Sequence, residues 1–100
     1  MTGYSLYSKI NCAEGKQDEL KNYLLEAARG MEQLEDNYCY VVGIDPEDPN
    51  AVYVYELWKN QEAHQASLGM EVFQKLIEKA RPIITGIDDS PPLQVIGGKY

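Results

Sequence analysis

An α+β fold of the split β-α-β, ferredoxin-like kind is predicted by three observations in this 100-residue sequence. Stretches that alternate apolar and polar residues are interleaved with stretches of helical spacing, in the order β-α-β-β-α-β. The second and third strands are joined by a loop so short that an antiparallel hairpin is the simplest connection. The two helical stretches are amphipathic, and with right-handed crossovers they lie on one face of four antiparallel strands. A chain of this length makes one domain, spanning 1–100, with a single core.

The elements follow in order. Tyr4–Cys12 sets Tyr4, Leu6, Ile10 and Cys12 against Ser5, Lys9 and Asn11, the period of a strand. Glu14-Gly15 ends it. From Lys16 the spacing turns helical, with Leu20, Tyr23, Leu24, Ala27, Ala28, Met31 and Leu34 on one face. Asp18 and Glu19 suit the first turn because the helix dipole favours negative charge there. Glu35-Asp36-Asn37 marks the predicted end, since Asn tolerates a left-handed terminus. Tyr38–Ile44 and Ala51–Trp58 read as strands, rich in β-branched and aromatic residues. Between them lies a loop with Pro46 and Pro49, which cannot donate to a ladder. Asn60 is a predicted N-cap for the second helix, whose apolar positions are Ala63, Ala66, Met70, Phe73, Leu76, Ile77, Ala80 and Ile84. Gly69 predicts a kink or a break into two short helices, and Pro82 pushes the helix towards its end. Asp88–Pro92 reads as a loop and Leu93–Gly97 as the last strand.

A sheet covered by helices on one face should be polar on the other. Here the third strand offers Tyr53, Tyr55 and Leu57 on one side and Val52, Val54 and Trp58 on the other, and the second offers Tyr38, Tyr40, Val42 and Ile44 against Cys39 and Val41. Both faces are apolar, so the sequence predicts a homodimer packed sheet against sheet. Eight Tyr against one Phe and one Trp point the same way, because a tyrosine ring packs while its hydroxyl seeks a partner, which suits interfaces and polar-rimmed pockets.

Nine basic and sixteen acidic side chains give a net charge of −7. Phosphate backbones would be repelled, and no basic stripe offsets the imbalance, so nucleic-acid binding is not expected. An anionic substrate would need Lys9, Lys59 or Arg81. No apolar run approaches the ~20 residues of a membrane span, and the N-terminus lacks the basic-then-apolar pattern of a signal. Cys12 and Cys39 form no CxxC, and in the predicted topology they lie at opposite ends of the sheet, beyond the ~7 Å that bridged Cα atoms require. Free thiols and a cytoplasmic location are the expectation.

The run Glu56-Leu57-Trp58, followed by Ala63-His64-Gln65-Ala66-Ser67-Leu68 and Ala80-Arg81-Pro82, resembles the antibiotic biosynthesis monooxygenase family, and within it the small bacterial quinol monooxygenase type. The resemblance covers nearly the whole chain. It implies a dimeric α+β barrel with a pocket between sheet and helices in each protomer. It also implies oxygenation of quinol-like or polycyclic hydroxyaromatic small molecules by O2, with no metal, flavin or haem cofactor.

Oxygenation of that kind draws its electrons from the substrate, so the protein must supply a base, a dry pocket and donors for an oxyanion. His64 is the candidate base, since its unperturbed pKa lies near neutrality. Trp58 would wall the pocket and stack on an aromatic ring. Tyr38, Tyr40 or Tyr55 would donate to the oxyanion, and Arg81 would offset developing charge. Each has a plainer reading: His64 a surface histidine, Trp58 core filler, the tyrosines an interface, and Arg81 a cation on a helix C-terminus. Glu56 could be a base, but a strand-end carboxylate satisfied by a neighbouring donor is the simpler expectation. Many relatives carry a histidine near the position of Ser67, about one helical turn beyond His64. A non-catalytic dimeric binding or structural protein is the alternative function. Haem degradation comes third, because the helix has no later histidine and Asn11 is the sole first-strand asparagine.

Overall fold

The first strand, β1, runs over Gly3–Cys12 in a computed structural model that describes residues 2–99. Helix α1 covers Gln17–Met31, β2 Asn37–Gly43, β3 Ala51–Trp58, α2 Gln61–Leu68 and α3 Glu71–Ala80. A 3-10 turn over Arg81–Ile83 leads into β4, Ile84–Asp89, and β5 is Leu93–Val95. All pairings are antiparallel, and the order across the sheet is β2-β3-β1-β4, with β5 also on β1. This is the ferredoxin-like arrangement the sequence predicts.

Local signals explain most boundaries. Gly15, at φ 78°, supplies the left-handed turn between β1 and α1. The Asn60 side chain caps α2 by accepting from the Ala63 N–H at 2.8 Å. The predicted break at Gly69 separates α2 from α3. Cys12 is buried and Cys39 half-buried, and both are free.

Three details depart from the sequence reading, each for a tertiary reason. Helix α1 ends at Met31, before Asp36, because Asn37 must already lie beside Trp58 and the Lys59 N–H donates to the Asp36 carbonyl at 2.9 Å. Turns anchored by Leu34 on Met31 and Asn37 on Leu34 fill the gap. The fourth strand of the fold is Ile84–Asp89, and the predicted last strand survives as the short β5. Gly86 and two aspartates hide β4 in the sequence. In the fold the Ser8 hydroxyl donates to Asp89 at 2.6 Å and the Asn11 amide to Asp88 at 3.0 Å, so both acids are satisfied across the β1–β4 pair. Finally, Tyr38 is the extra residue of a bulge, since Asn37 pairs with Trp58 and Cys39 with Leu57. The bulge takes Tyr38 out of the alternation that relates Tyr40 and Val42.

The core lies between the helices and one face of the sheet. Leu20 of α1 and Ala80 of α3 close on Cys12 and Val52, with Ile10, Tyr23, Leu24 and Val42 around them. The other face carries Tyr7 (48 % exposed), Val41 (53 %), Tyr55 (40 %) and Leu93 (62 %). The rings of Tyr7 and Tyr53 stack there at 6.2 Å.

Candidate functional site

Alternation along β3 sends Val54, Glu56 and Trp58 to the helix side. Register then sets Tyr40 of β2 and Leu6 of β1 on either side of Glu56. Over this row the helices do not close completely. A largely apolar cavity of about 200 Å³ remains, walled by Ile10, Leu24 and Val54 and by Phe73, Leu76 and Ile77 of α3. Its titratable lining groups are Tyr23, Tyr40 and Glu56. Ile77 and Ile87, both exposed, rim an apolar mouth.

At one end of the cavity stand the three residues singled out around the strand-to-helix junction. Trp58 is 1 % exposed, and its indole N–H donates to Glu56 Oε1 at 3.1 Å. His64 Nε2 lies 4.0 Å from the same oxygen, beyond hydrogen-bond reach. The imidazole packs edge-on against Trp58 at 5.6 Å and tilted against Tyr4 at 5.9 Å. Ser67 is buried and donates to the His64 carbonyl at 2.6 Å.

The electrostatics favour neutral forms. Burial pushes Glu56 above the usual 4.5, against the Trp58 hydrogen bond, and the charge of Asp89 adds to the rise. Burial lowers His64 below 6.5, so the imidazole is neutral at neutral pH. Burial, with Glu56 alongside, holds the Tyr40 phenol far above its ordinary value, which keeps it a proton donor.

These shifts give a signed stability prediction. A carboxyl whose folded pKa is raised contributes fully below the unfolded value of 4.5 and loses that contribution as pH rises through the folded pKa. Glu56→Gln lacks the loss and keeps an acceptor for Trp58. In urea titrations it should equal or exceed the wild type at neutral pH, and the difference should vanish below about pH 4.5. A wild type more stable than the variant at neutral pH would contradict this.

The residues predicted for the site are divided among several places. Tyr40 lines the cavity. Trp58 and His64 adjoin Glu56 but are outside the lining. Tyr55 belongs to the uncovered face, in a concavity with Tyr7, Val41 and Tyr53. Tyr38 is exposed at the bulge. Arg81 is exposed and caps the C-terminus of α3. Lys9 pairs with Asp48 at 3.3 Å, and neither it nor Lys59 lines the cavity. The residue the sequence undervalued is Glu56. It is indeed satisfied by a neighbour, yet it also lines the cavity. Its presence among apolar strand neighbours on the helix-facing side was the available signal. Among the described residues, no three His, Cys, Asp or Glu side chains gather as a metal site, and no helix is long and apolar enough to cross a membrane.

A profile of the family described as antibiotic biosynthesis monooxygenase matches residues 4–79. Among solved structures, a candidate antibiotic biosynthesis monooxygenase from Chloroflexus aurantiacus is 33 % identical, with 98 % of this chain and 97 % of that one covered and a TM-score of 0.87. A candidate member from Caulobacter crescentus is 14 % identical over 95 % and 91 %, with a TM-score of 0.86, and a protein from Pseudomonas aeruginosa is 18 % identical over 97 % of each chain, also at 0.86. The latter two likenesses speak for the fold alone. No curated protein matches.

Proposed function

The chain belongs to the antibiotic biosynthesis monooxygenase family, and from that premise we propose that it oxygenates a neutral, quinol-like aromatic in the cavity between sheet and helices, using O2 and no cofactor. The observation that carries the reading is the cavity itself, an apolar space in which Glu56 and Tyr40 stand side by side on neighbouring strands. A carboxylate to take a hydroxyl proton and a phenol to donate to the resulting oxyanion are the two groups such chemistry needs. For a quinol with a free ring C–H, one oxygen atom of O2 enters the ring and the other leaves as water. The quinol gives up four electrons and becomes a hydroxyquinone. Lys9, Lys59 and Arg81 all stand away from the cavity, which favours an uncharged substrate over an anionic one.

Volume narrows the class further. An apolar cavity of roughly 150 Å³ accommodates benzene, and pockets for drug-sized ligands begin at roughly 300 Å³. At about 200 Å³, one ring or two fused rings fit, while larger polycycles and haem do not. Oxygen uptake should therefore be at least about tenfold faster in kcat/KM for one- and two-ring quinols than for hydroxyanthrones, a difference of about 1.4 kcal/mol. Equal or reversed preference would refute the size limit. No uptake with any quinol would refute the oxygenase reading.

One observation favours a non-catalytic binding protein: Trp58 is packed solid, and His64 is held off the cavity. That reading expects tight binding of quinols with no oxygen consumed. A homodimer is part of the proposal. The exposed Tyr7, Val41, Tyr55 and Leu93 need a cover, and a second copy of the same face supplies it.

A further inference from the structure

Glu56 is the one carboxylate among the residues that line the cavity. Its Oε1 is occupied by the Trp58 indole. Oε2 accepts no hydrogen bond among the described residues and is not sealed from a water-sized probe. His64 is not among the residues that line the cavity, but its Nε2 lies 4.0 Å from Glu56 Oε1 and its side chain is 17 % exposed, so it neighbours both the carboxylate and solvent. The expected base and the substrate cavity are thus separated by a single carboxylate.

We propose that Glu56 is the catalytic proton acceptor of the cavity, and that His64 is a positioning residue that passes the proton from Glu56 to water. This rests on the oxygenase reading above, and it replaces His64, the base expected from the sequence, by Glu56. In the step, the substrate O–H bond breaks, its proton bonds to a carboxylate oxygen of Glu56, and the electron pair stays on the substrate oxygen, beside Tyr40. The Glu56 O–H then gives its proton, through one bridging water because 4.0 Å is too long for direct transfer, to the Nε2 lone pair of His64. Glu56 is a carboxylate again, and the imidazolium releases its proton to solvent. The substrate anion is what O2 oxidises.

The surroundings of Glu56 suit that role. From β3 it receives the Trp58 hydrogen bond, from β2 the Tyr40 phenol stands beside it, from β4 Asp89 opposes its ionisation, and α2 brings His64. Helix α1 contributes Tyr23 to the lining, and the lining residues of α3, Phe73, Leu76, Ile77 and Ala80, carry no charge. Glu56 is raised from 4.5 while His64 is lowered from 6.5. The two shifts run towards each other, which narrows the gap between their ordinary proton affinities.

The test compares oxygen uptake on a one-ring quinol by wild type, Glu56→Gln, Glu56→Asp and His64→Gln, with a carbon-13 titration of the Glu56 carboxyl in wild type and His64→Gln. Glu56→Gln should lower kcat about a hundredfold or more with KM nearly unchanged, and Glu56→Asp should keep part of the rate. His64→Gln should lose less, about tenfold, and recover with added imidazole buffer, which a merely structural role would not do. Wild-type kcat/KM should climb with pH along an acid limb whose midpoint lies above 4.5, and the carboxyl midpoint should sit above 4.5 and move in His64→Gln. Glu56→Gln within about threefold of wild type, or His64→Gln falling further than Glu56→Gln without rescue, would overturn the assignment. A wild type that consumes no oxygen removes the oxygenase reading and any catalytic role with it. The carboxyl titration then separates that failure from an absent Glu56–His64 coupling, which would show as an unmoved midpoint.

Discussion

Replacing Trp58 by alanine should destabilise the protein by about 3–5 kcal/mol, the usual cost of deleting a buried aromatic side chain. The ring is among the largest fully buried side chains, at 1 % exposure, and it holds together three elements: its own strand, His64 of α2, and Tyr4 of β1 through that histidine. For a domain whose total stability is about 5–15 kcal/mol, such a loss approaches unfolding, and urea denaturation would show it directly. Trp58→Phe isolates the polar part. It keeps most of the volume but leaves Glu56 Oε1 without its donor, at a cost of about 1–3 kcal/mol. The indole hydrogen bond is the influence that opposes the rise in the Glu56 pKa. Its removal moves that pKa up, so activity that needs the carboxylate should begin at higher pH than in the wild type. A Phe variant with unchanged stability and an unchanged acid limb would show that the hydrogen bond carries no weight.

The second large effect concerns the uncovered face. Wild type should sediment and scatter light as a dimer at micromolar concentration, and Val41→Asp or Tyr55→Asp should make it a monomer. Both residues point away from the helices, on adjacent strands in register, and both are well exposed. In a twofold dimer each substitution occurs twice across one interface. Burying like charges there costs several kcal/mol, and 3 kcal/mol is already about a hundredfold in the dissociation constant. A comparable substitution of Leu25, exposed on α1, should leave the mass unchanged. A monomeric wild type would remove the dimer.

Between these two faces the sequence was unevenly informative. Strand β3 was legible to the residue because β-branched and aromatic side chains alternate from Ala51 to Trp58 between a proline loop and the Asn60 cap. Strand β4 was not legible: Gly86, Asp88 and Asp89 argue against a strand locally, and the hydrogen bonds that satisfy both acids come from β1, more than seventy residues earlier. The end of α1 was likewise set from outside, by the need to bring Asn37 alongside Trp58.

The site divides in the same way. Glu56, Trp58 and His64 stood out in the sequence as a cluster at a strand-to-helix junction, and the fold does bring them together. Sequence by itself determined the order of elements, the two apolar faces of the sheet, the acidic balance and the residues at that junction, since these depend on local periodicity and composition. Tertiary structure alone decided which of the three reaches the cavity. Strand register set Tyr40 beside Glu56, the bulge at Tyr38 separated the two tyrosines, and the packing of α3 over the sheet left the cavity open on Glu56, with His64 outside its lining. The physical reason is that a cavity is space left between elements distant in sequence, and no local pattern records where those elements fail to meet.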